Sequence, residues 1–150
     1  MRAPPGRHVG HLIRLAQQLH TRIWITEVSS EISSPQSQLL ATLEANPDID
    51  QSTATKLAGL DRSTGAVLME RLSSLGYVER TRDDVDKRRY LLRLTPTGQK
   101  LRHDLQPLTW HLHEEMLALI PEELREPFMN ALEVLVRNGS GADDPAALAP

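Results

Sequence analysis

The stretch TRDDVDKRRYLLRLTPTGQKL, residues 81–101, decides the fold of this chain. Residues 77–81 and 89–94 are rich in branched and aromatic side chains, which predicts two short strands. The charged segment between them is then the turn of a hairpin, and Thr95 and Pro96 restart a helix. A hairpin with a charged tip therefore separates two helical halves of the chain.

Helical periodicity dominates the sequence on both sides of the hairpin. Helices are predicted over residues 8–31, 35–45, 51–58 and 62–75 before it, and over 96–119 and 121–137 after it. The expected caps are Ser34, Asp50 and Asp61 at N-termini and Gly76 at a C-terminus. The fold class is therefore mainly α with a small β-hairpin.

Four apolar stripes follow these helices. The expected inward positions are Val9, Leu12, Ala16, Leu19 and Ile23; Leu60, Val67, Leu68, Leu72 and Leu75; Leu101, Leu105, Leu108, Leu112 and Leu119; and Leu124, Phe128, Leu132 and Leu135. The third stripe has the spacing of a helix that packs along a partner helix.

Composition limits the classes of protein that fit. The chain has 150 residues, which suits one domain or one compact subunit, and no cysteine for disulfides, thiol chemistry or cysteine zinc sites. No apolar run approaches the roughly 20 residues of a membrane span, and the N-terminus has no secretory apolar segment. We therefore expect a cytoplasmic protein.

Charge is distributed unevenly along the chain. Residues 51–100 hold ten Lys/Arg against six Asp/Glu, a net charge of +4, whereas the remaining residues carry −7. A basic middle between acidic ends favours a nucleic-acid partner, and the alternative is a solvated surface of mixed charge.

The order of elements is that of a winged helix-turn-helix, in which the hairpin is the wing. The segments DRSTGAVLMERLSSLGYVER (61–80), Asp86-Lys87-Arg88 and LTPTG (94–98) resemble the MarR family of bacterial transcription regulators. The resemblance covers roughly residues 8–137. One departure is Gly65, where the family more often has a branched apolar residue, and a glycine there loosens the helix by about 1 kcal/mol relative to Ala.

The resemblance implies a division of the chain and a mode of action. It implies a flexible arm over 1–7, dimerisation helices over 8–31 and 97–137, a DNA-binding lobe over 35–96 and a disordered tail over 138–150. The protein would be a homodimer that binds double-stranded DNA at a near-palindromic operator, with half-sites about 10 bp apart. The family usually represses, and a small ligand that binds the DNA-incompetent form better releases the DNA.

DNA-facing residues are expected on the short helix pair. The second helix of the pair fits the major groove, where an arginine can bind guanine through two hydrogen bonds. The hydroxyls of Ser63 and Thr64 can bind phosphate, or they form a plain capping turn. The expected DNA-facing residues of the pair are Lys56, Arg62, Ser63, Thr64, Ala66 and Arg71.

The wing adds four basic residues, Arg82, Lys87, Arg88 and Arg89. The resemblance assigns Arg88 to DNA, and it gives Asp86 a structural role in which it pairs with an arginine. Asp83 and Asp84 repel phosphate, so the outermost tip is not expected to lie flat on the DNA backbone. Arg80 is expected to brace the acids of the wing.

Arg14 and His20 are the candidate effector residues. With Arg14 taken as zero, His20 lies at about 240° around the first helix and about 9 Å further along its axis, so a flat aromatic acid can span them. The guanidinium would bind the carboxylate and the imidazole a ring hydroxyl. A looser resemblance to the family branch that controls aromatic-acid catabolism implies protocatechuate or a hydroxybenzoate. Further pocket candidates are Gln38, Trp110 and His111.

Several of these residues can also have a purely structural role. Arg14 can be a solvated helix residue, His20 a dimer contact and Trp110 a core residue. His111 and His113 point apart on a helix and have no cysteine to assist, so no metal site is expected. No cofactor is expected apart from the aromatic carboxylate effector.

Other classes of function compete with this interpretation. The sequence has no GxSxG, HExxH, Walker or dinucleotide-binding motif, so an enzyme is not expected. One alternative is a MarR-like regulator of efflux or stress genes that answers another phenolic ligand. The other is a winged-helix protein-interaction module that does not bind DNA.

Overall fold

The computed structural model describes residues 8–139, and the predicted arm 1–7 and residues 140–150 of the predicted tail lie outside that range. The described part contains six α-helices and three short strands. They are α1 (Val9–Ile23), α2 (Ser34–Ala45), β1 (Ile49–Asp50), α3 (Gln51–Leu57), α4 (Arg62–Ser74), β2 (Val78–Arg82), β3 (Tyr90–Leu94), α5 (Pro96–Ala118) and α6 (Glu122–Gly139). The predicted mainly helical winged helix-turn-helix is confirmed.

A tight irregular corner joins α1 to α2. The chain continues from α1 as one π-helical segment, Trp24–Val28, and the buried Trp24 indole donates a 2.6 Å hydrogen bond to the carbonyl of Ile32. Ser33, not Ser34, caps α2, because its hydroxyl accepts from the Gln36 amide while the Gln36 side chain accepts from the Ser33 amide. This reciprocal capping box satisfies two amides that the helix itself leaves unpaired.

The sheet has three strands in the order β1-β3-β2, all antiparallel. The sequence predicted only the β2–β3 hairpin and treated residues 45–50 as a break. β1 pairs Ile49 with Leu92, and the preceding Asp48 has a φ of 62° and is held by two hydrogen bonds from Arg93. A two-residue strand is too short to show periodicity, so nothing local predicted it.

The core lies between α2, α4 and the sheet. Its fully buried large side chains are Leu39, Leu40, Leu43, Met69, Leu72 and Leu92. Two residues of the expected α4 stripe were assigned wrongly, since Val67 is 69% exposed and Leu75 is exposed as well. Met69 is buried instead, because the side of α4 that faces the core contains Gly65, Met69 and Leu72.

Gly65 is the point where α3 and α4 approach each other. A Cβ atom built on Gly65 would lie 2.8 Å from the Cβ of Thr55, a buried residue of α3. That distance is shorter than real carbon contacts allow, so the crossing requires a residue without a side chain. The expected looseness of the helix is thus offset by a closer packing of the pair.

The LTPTG segment fixes α5 to the end of the helix pair. Thr95 caps α5 by accepting from the Gly98 amide at 3.1 Å, and its hydroxyl donates to the Gly76 carbonyl at 2.6 Å. Gly98 lies so close to the Tyr77 carbonyl that a side chain would collide with it. Gly76 itself has a φ of 79°, which confirms its predicted role at the end of α4.

The stripe of α5 divides between the interior and the surface. Leu105 and Leu112 are buried within the chain, whereas Leu108 and Leu119 are exposed. Leu105 and Leu112 therefore pack inside the chain and are not available to a helix of a second copy. Helix α5 contacts both α2 and the π-helical segment Trp24–Val28, which leaves only part of the helix free.

Helices α1 and α6 bury none of their residues within the described chain. The positions of α6 that were expected to face inward are exposed, Phe128 at 42% among them; they are Leu124, Phe128, Leu132 and Leu135. The helix also continues to Gly139, so the first two residues of the expected tail are helical. No described helix is both long and apolar enough to span a membrane.

The α3–α4 crossing leads to a stability prediction. Gly65→Ala should lower the free energy of unfolding by about 1–3 kcal/mol, because the added methyl group overpacks against Thr55. Gly10→Ala is the matched control, since Gly10 has open space around it and alanine favours a helix. Chemical denaturation measures both, and a Gly65→Ala variant as stable as the wild type would refute the close crossing.

Candidate nucleic-acid interface and effector residues

The outer face of α4 is polar and charged, with one apolar exception. Ser63, Val67 and Arg71 follow one another at intervals of four residues, and all three are exposed. Arg62 is exposed in the first turn, and Ala66 is half-buried beside the outer row. Lys56 is exposed on α3.

Asp61 organises the first turn of α4. Its carboxylate accepts from the Thr64 amide at 2.9 Å, from the Thr64 hydroxyl at 2.6 Å and from the Ser63 hydroxyl at 2.8 Å. These bonds lower the pKa of Asp61 from 3.8 to about 2, with the Thr64 hydroxyl as the largest cause. The hydroxyl protons of Ser63 and Thr64 are therefore engaged in the capping turn, which was the alternative to phosphate binding.

Two basic residues of the wing, residues 78–94, are engaged inside it. Arg82 donates to the Lys87 carbonyl at 2.7 Å, and its guanidinium lies 5.1 Å from the centre of the Tyr90 ring. Lys87 forms a 3.0 Å ion pair with Asp84. Both were expected to face DNA, but their cationic groups already have partners in the wing.

Arg89 links the wing to the start of α3. Its guanidinium lies 3.0 Å from Asp50 and 3.9 Å from Asp83. Asp50 caps α3 by accepting from the amide of Thr53, as predicted. The pKa of Asp50 lies below its usual value, chiefly because of that Thr53 amide and further because of Arg89. Arg89 was expected to contact DNA. Its contact with Asp50, 39 residues earlier in the sequence, instead braces the wing against the start of α3.

Two further expectations for the wing are corrected. Asp86 forms no ion pair with an arginine in the part of the chain that the structure describes; its carboxylate accepts from the Arg88 amide at 3.0 Å. Arg80 does not brace the acids of the wing. It donates to Gln51 at 2.9 Å and lies 3.5 Å from Glu70, so it connects β2 with α3 and α4.

Four cations expected at the DNA keep their charged groups available. Among the described residues no hydrogen bond or ion pair is formed by the side-chain nitrogens of Lys56, Arg62, Arg71 and Arg88. All four are exposed. One helix pair and one wing tip therefore present a set of uncompensated positive charges.

The effector candidates lie on several elements. Arg14 Nη2 is 2.9 Å from His11 Nδ1 on the exposed side of α1. His20 is half-buried with its ring centre 6.1 Å from that of Trp24, and burial lowers the pKa of His20. A shallow groove of about 450 Å³ runs along one side of α1, and it is lined by Arg14 but not by His20.

The remaining effector candidates do not join this groove within one chain. Gln38 is exposed on α2. Trp110 is 61% exposed, which rules out a core role within the chain, and its ring lies 5.1 Å from that of His113. His111 lies 3.7 Å from Glu115 on the exposed surface of α5. Of the five effector candidates, which lie on α1, α2 and α5, Arg14 alone lines the groove along α1.

The sequence did not reveal the exposure of Val67 or the contacts that Asp50 and Gln51 make with arginines of the wing. Val67 was assigned to the core, while Asp50 and Gln51 were known only as the start of a helix. The position of Asp50, between a break and a helix, signalled its capping role. Its pairing with Arg89 had no local signal because the partner lies in the wing.

The fold and this surface define a winged helix-turn-helix protein of the DNA-binding type. Residues 30–89 match the MarR family. The PcaV transcriptional regulator of Streptomyces coelicolor, solved with its natural ligand, is 35% identical and superposes with a TM-score of 0.84 over 95% of this chain and 99% of that one. This chain belongs to the MarR family.

Two regulators identified by sequence agree with that assignment. HosA of Escherichia coli is 29% identical over 126 residues, which are 84% of this chain and 93% of HosA. The repressor NicR of Pseudomonas putida is 29% identical over 107 residues, which are 71% of this chain and 68% of NicR. Both relatives are transcription regulators.

The Asp61 cap leads to a prediction about acid stability. Because the folded pKa is about 2 and the ordinary value is 3.8, ionised Asp61 stabilises the fold above pH 3.8, and this contribution is lost as the pH falls towards 2. Asp61→Asn keeps a capping side chain without the titration. Its deficit in unfolding free energy should shrink as the pH falls from about 7 to 3, and a constant deficit would contradict the shift.

Proposed function

We propose that this chain is a homodimeric transcription regulator, a repressor that binds a near-palindromic operator and is released by a small hydroxylated aromatic acid. The observation that carries the proposal is the set of uncompensated cations on α3, α4 and the wing tip, in a protein whose other regions are acidic. Such a regulator works in the cytoplasm, where its DNA is.

The cations divide by their position. Arg62 and Arg71 on α4 are suited to the major groove, where each can bind a guanine through two hydrogen bonds. Lys56 on α3 is suited to a phosphate. Arg88 at the wing reaches a phosphate or the adjacent minor groove. Arg82, Lys87 and Arg89 act indirectly, because their partners within the protein hold the wing in place.

The dimer follows from the apolar surface of the terminal helices. Helices α1 and α6 expose Leu12, Ile13 and Phe128 together with further apolar residues, and exposed apolar surface of that extent favours association. A second copy would cover it. A two-fold axis would then place two copies of α4 about one turn of DNA apart, with half-site centres about 10 bp from each other.

The effector proposal depends on Arg14 and His20. Arg14 can hold a carboxylate, and burial keeps His20 neutral near pH 7, so its imidazole can share a hydrogen bond with a ring hydroxyl. Gln38, Trp110 and His111 lie on the second and fifth helices, which would border the same cleft. PcaV was solved with a natural ligand, which supports a ligand site in a relative of this similarity. Protocatechuate or a hydroxybenzoate is the proposed effector.

One experiment tests the regulator and its effector together. Purified protein is titrated onto the DNA upstream of its own gene, with and without protocatechuate and plain benzoate. We expect tight binding that the hydroxybenzoate abolishes, and an Arg14→Ala variant that still binds DNA but no longer responds. Lys100→Ala, an exposed cation on α5, is the control and should respond like the wild type.

The other outcomes are equally informative. Binding that is indifferent to every aromatic acid would refute the Arg14–His20 site and retain the regulator, with another phenolic ligand as the alternative. Absence of binding at low salt to this DNA and to a random pool would refute the regulator and favour a protein-interaction module.

A second prediction separates cations that bind DNA from cations that brace the wing. Arg88→Gln should reduce the slope of log affinity against log salt by about two for a dimer, since each lost contact removes about 0.9. Arg89→Gln and Asp50→Asn should both weaken binding with little change in slope, because each breaks the brace. Asparagine keeps the cap of α3.

Asp50→Asn is the decisive variant of that series. It removes a negative charge near DNA, so direct contact between Arg89 and DNA would make Asp50→Asn bind more tightly. Tighter binding would contradict the brace, and weaker binding equal to that of Arg89→Gln would support it.

A further inference from the structure

Val67 is the one large apolar side chain at the centre of the outer face of α4. It lies about 200° around the helix from Gly65, whereas Met69 and Leu72 lie within about 40° of Gly65 on the buried side. Its side chain is 69% exposed within the described chain. Ser63 stands one turn before it and Arg71 one turn after it, so the three form a slightly inclined row along the exposed face.

Neither folding nor helix formation accounts for a valine at this position. Val67 contributes nothing to the core of the described chain, because its side chain faces away from it. A β-branched residue is also less favourable in an exposed helix than alanine. The surrounding outer positions are polar, namely Ser63, Glu70, Arg71 and Ser74. The valine therefore suits a partner that offers an apolar group at that point.

The major groove of DNA offers one such group, the C5-methyl of thymine. We infer that Val67 is a specificity-determining residue that packs on the methyl group of a thymine in each operator half-site; this inference rests on the proposed DNA-binding function. The Glu70 carboxylate lies 3.5 Å from Arg80, which partly compensates the one acidic charge on this face. Ala66 beside the row is small enough to let the groove floor approach.

The spacing along α4 adds a prediction about the operator. Val67 and Arg71 are four residues apart, about 6 Å along the helix axis. Base pairs in DNA are stacked about 3.4 Å apart. The thymine that contacts Val67 should therefore lie within about two base pairs of the guanine that Arg71 binds.

Deoxyuridine substitution tests the inference because it removes the methyl group and nothing else. An operator is first selected from random duplexes, and each thymine of a half-site is then replaced singly by deoxyuridine. The wild type should lose affinity about fourfold at one thymine per half-site, as expected for one buried methyl group. Val67→Ala should lose the sensitivity at that thymine and keep the rest of the profile.

Val85→Ala is the matched control, since Val85 is 96% exposed at the tip of the wing. It should retain the deoxyuridine profile of the wild type. Alanine suits an exposed helix position, so Val67→Ala should melt at the same temperature as the wild type or higher.

Two results would overturn the inference, and they differ. A bound operator at which no thymine depends on Val67, or at which Val85→Ala loses the same sensitivity, would refute the role of Val67 alone. Absence of binding to any duplex in the selection would refute the proposed function together with it.

Discussion

The close crossing of α3 and α4 at Gly65 and Thr55 sets the orientation of the surface that we assign to DNA. Because Gly65 has no side chain, α4 lies against α3 and turns Met69 and Leu72 into the core. The opposite side of α4 then exposes Ser63, Val67 and Arg71. Asp50, at the start of α3, comes within reach of the wing through Arg89. The missing side chain at Gly65 thus sets which side of α4 is exposed, and the Arg89–Asp50 ion pair connects the wing to α3.

Charge in the basic segment is largely balanced within the protein. Arg80, Arg82, Lys87 and Arg89 each bind a partner on α3, on α4 or in the wing itself. Exposed ion pairs of this kind contribute little to stability individually, but they restrict where the wing can lie. Among the described cations of residues 51–100, those without a partner are therefore few, and they lie on α3, on α4 and at the tip of the wing. Such placement favours recognition of one DNA geometry over general attraction to a polyanion.

Local signals in the sequence predicted the elements well. Asp50 and Asp61 cap the short helices, and Gly76 ends α4, because these roles depend only on residues within one turn. Strand β1 has two residues and no pattern of its own, so only its pairing with β3 defines it. Arg89 and Asp50 meet across 39 residues, which no local pattern encodes.

Local patterns also failed to predict which side of α4 is buried and which residues surround Arg14 and His20. Val67 was predicted to face inward because Leu72 and Leu75 suggested an apolar stripe. The contact at Gly65 instead buries the opposite side of α4 and leaves Val67 exposed. Helical spacing predicted the angle between Arg14 and His20, but it did not predict which side chains lie next to them. Arg14 was found beside His11 and His20 beside Trp24. Helical spacing does not encode either of these contacts, because both depend on how the side chains pack.

Hydroxyl-radical footprinting of the protein on a selected operator tests the central claim most directly. If two copies of α4 and two wings face the DNA, the backbone should be protected in two patches about 10 bp apart, with outer protections from the wings. Arg88→Gln should remove the outer protections and leave the inner patches. A single patch, or protections that Arg88→Gln leaves unchanged, would contradict the arrangement of helix and wing described for this chain.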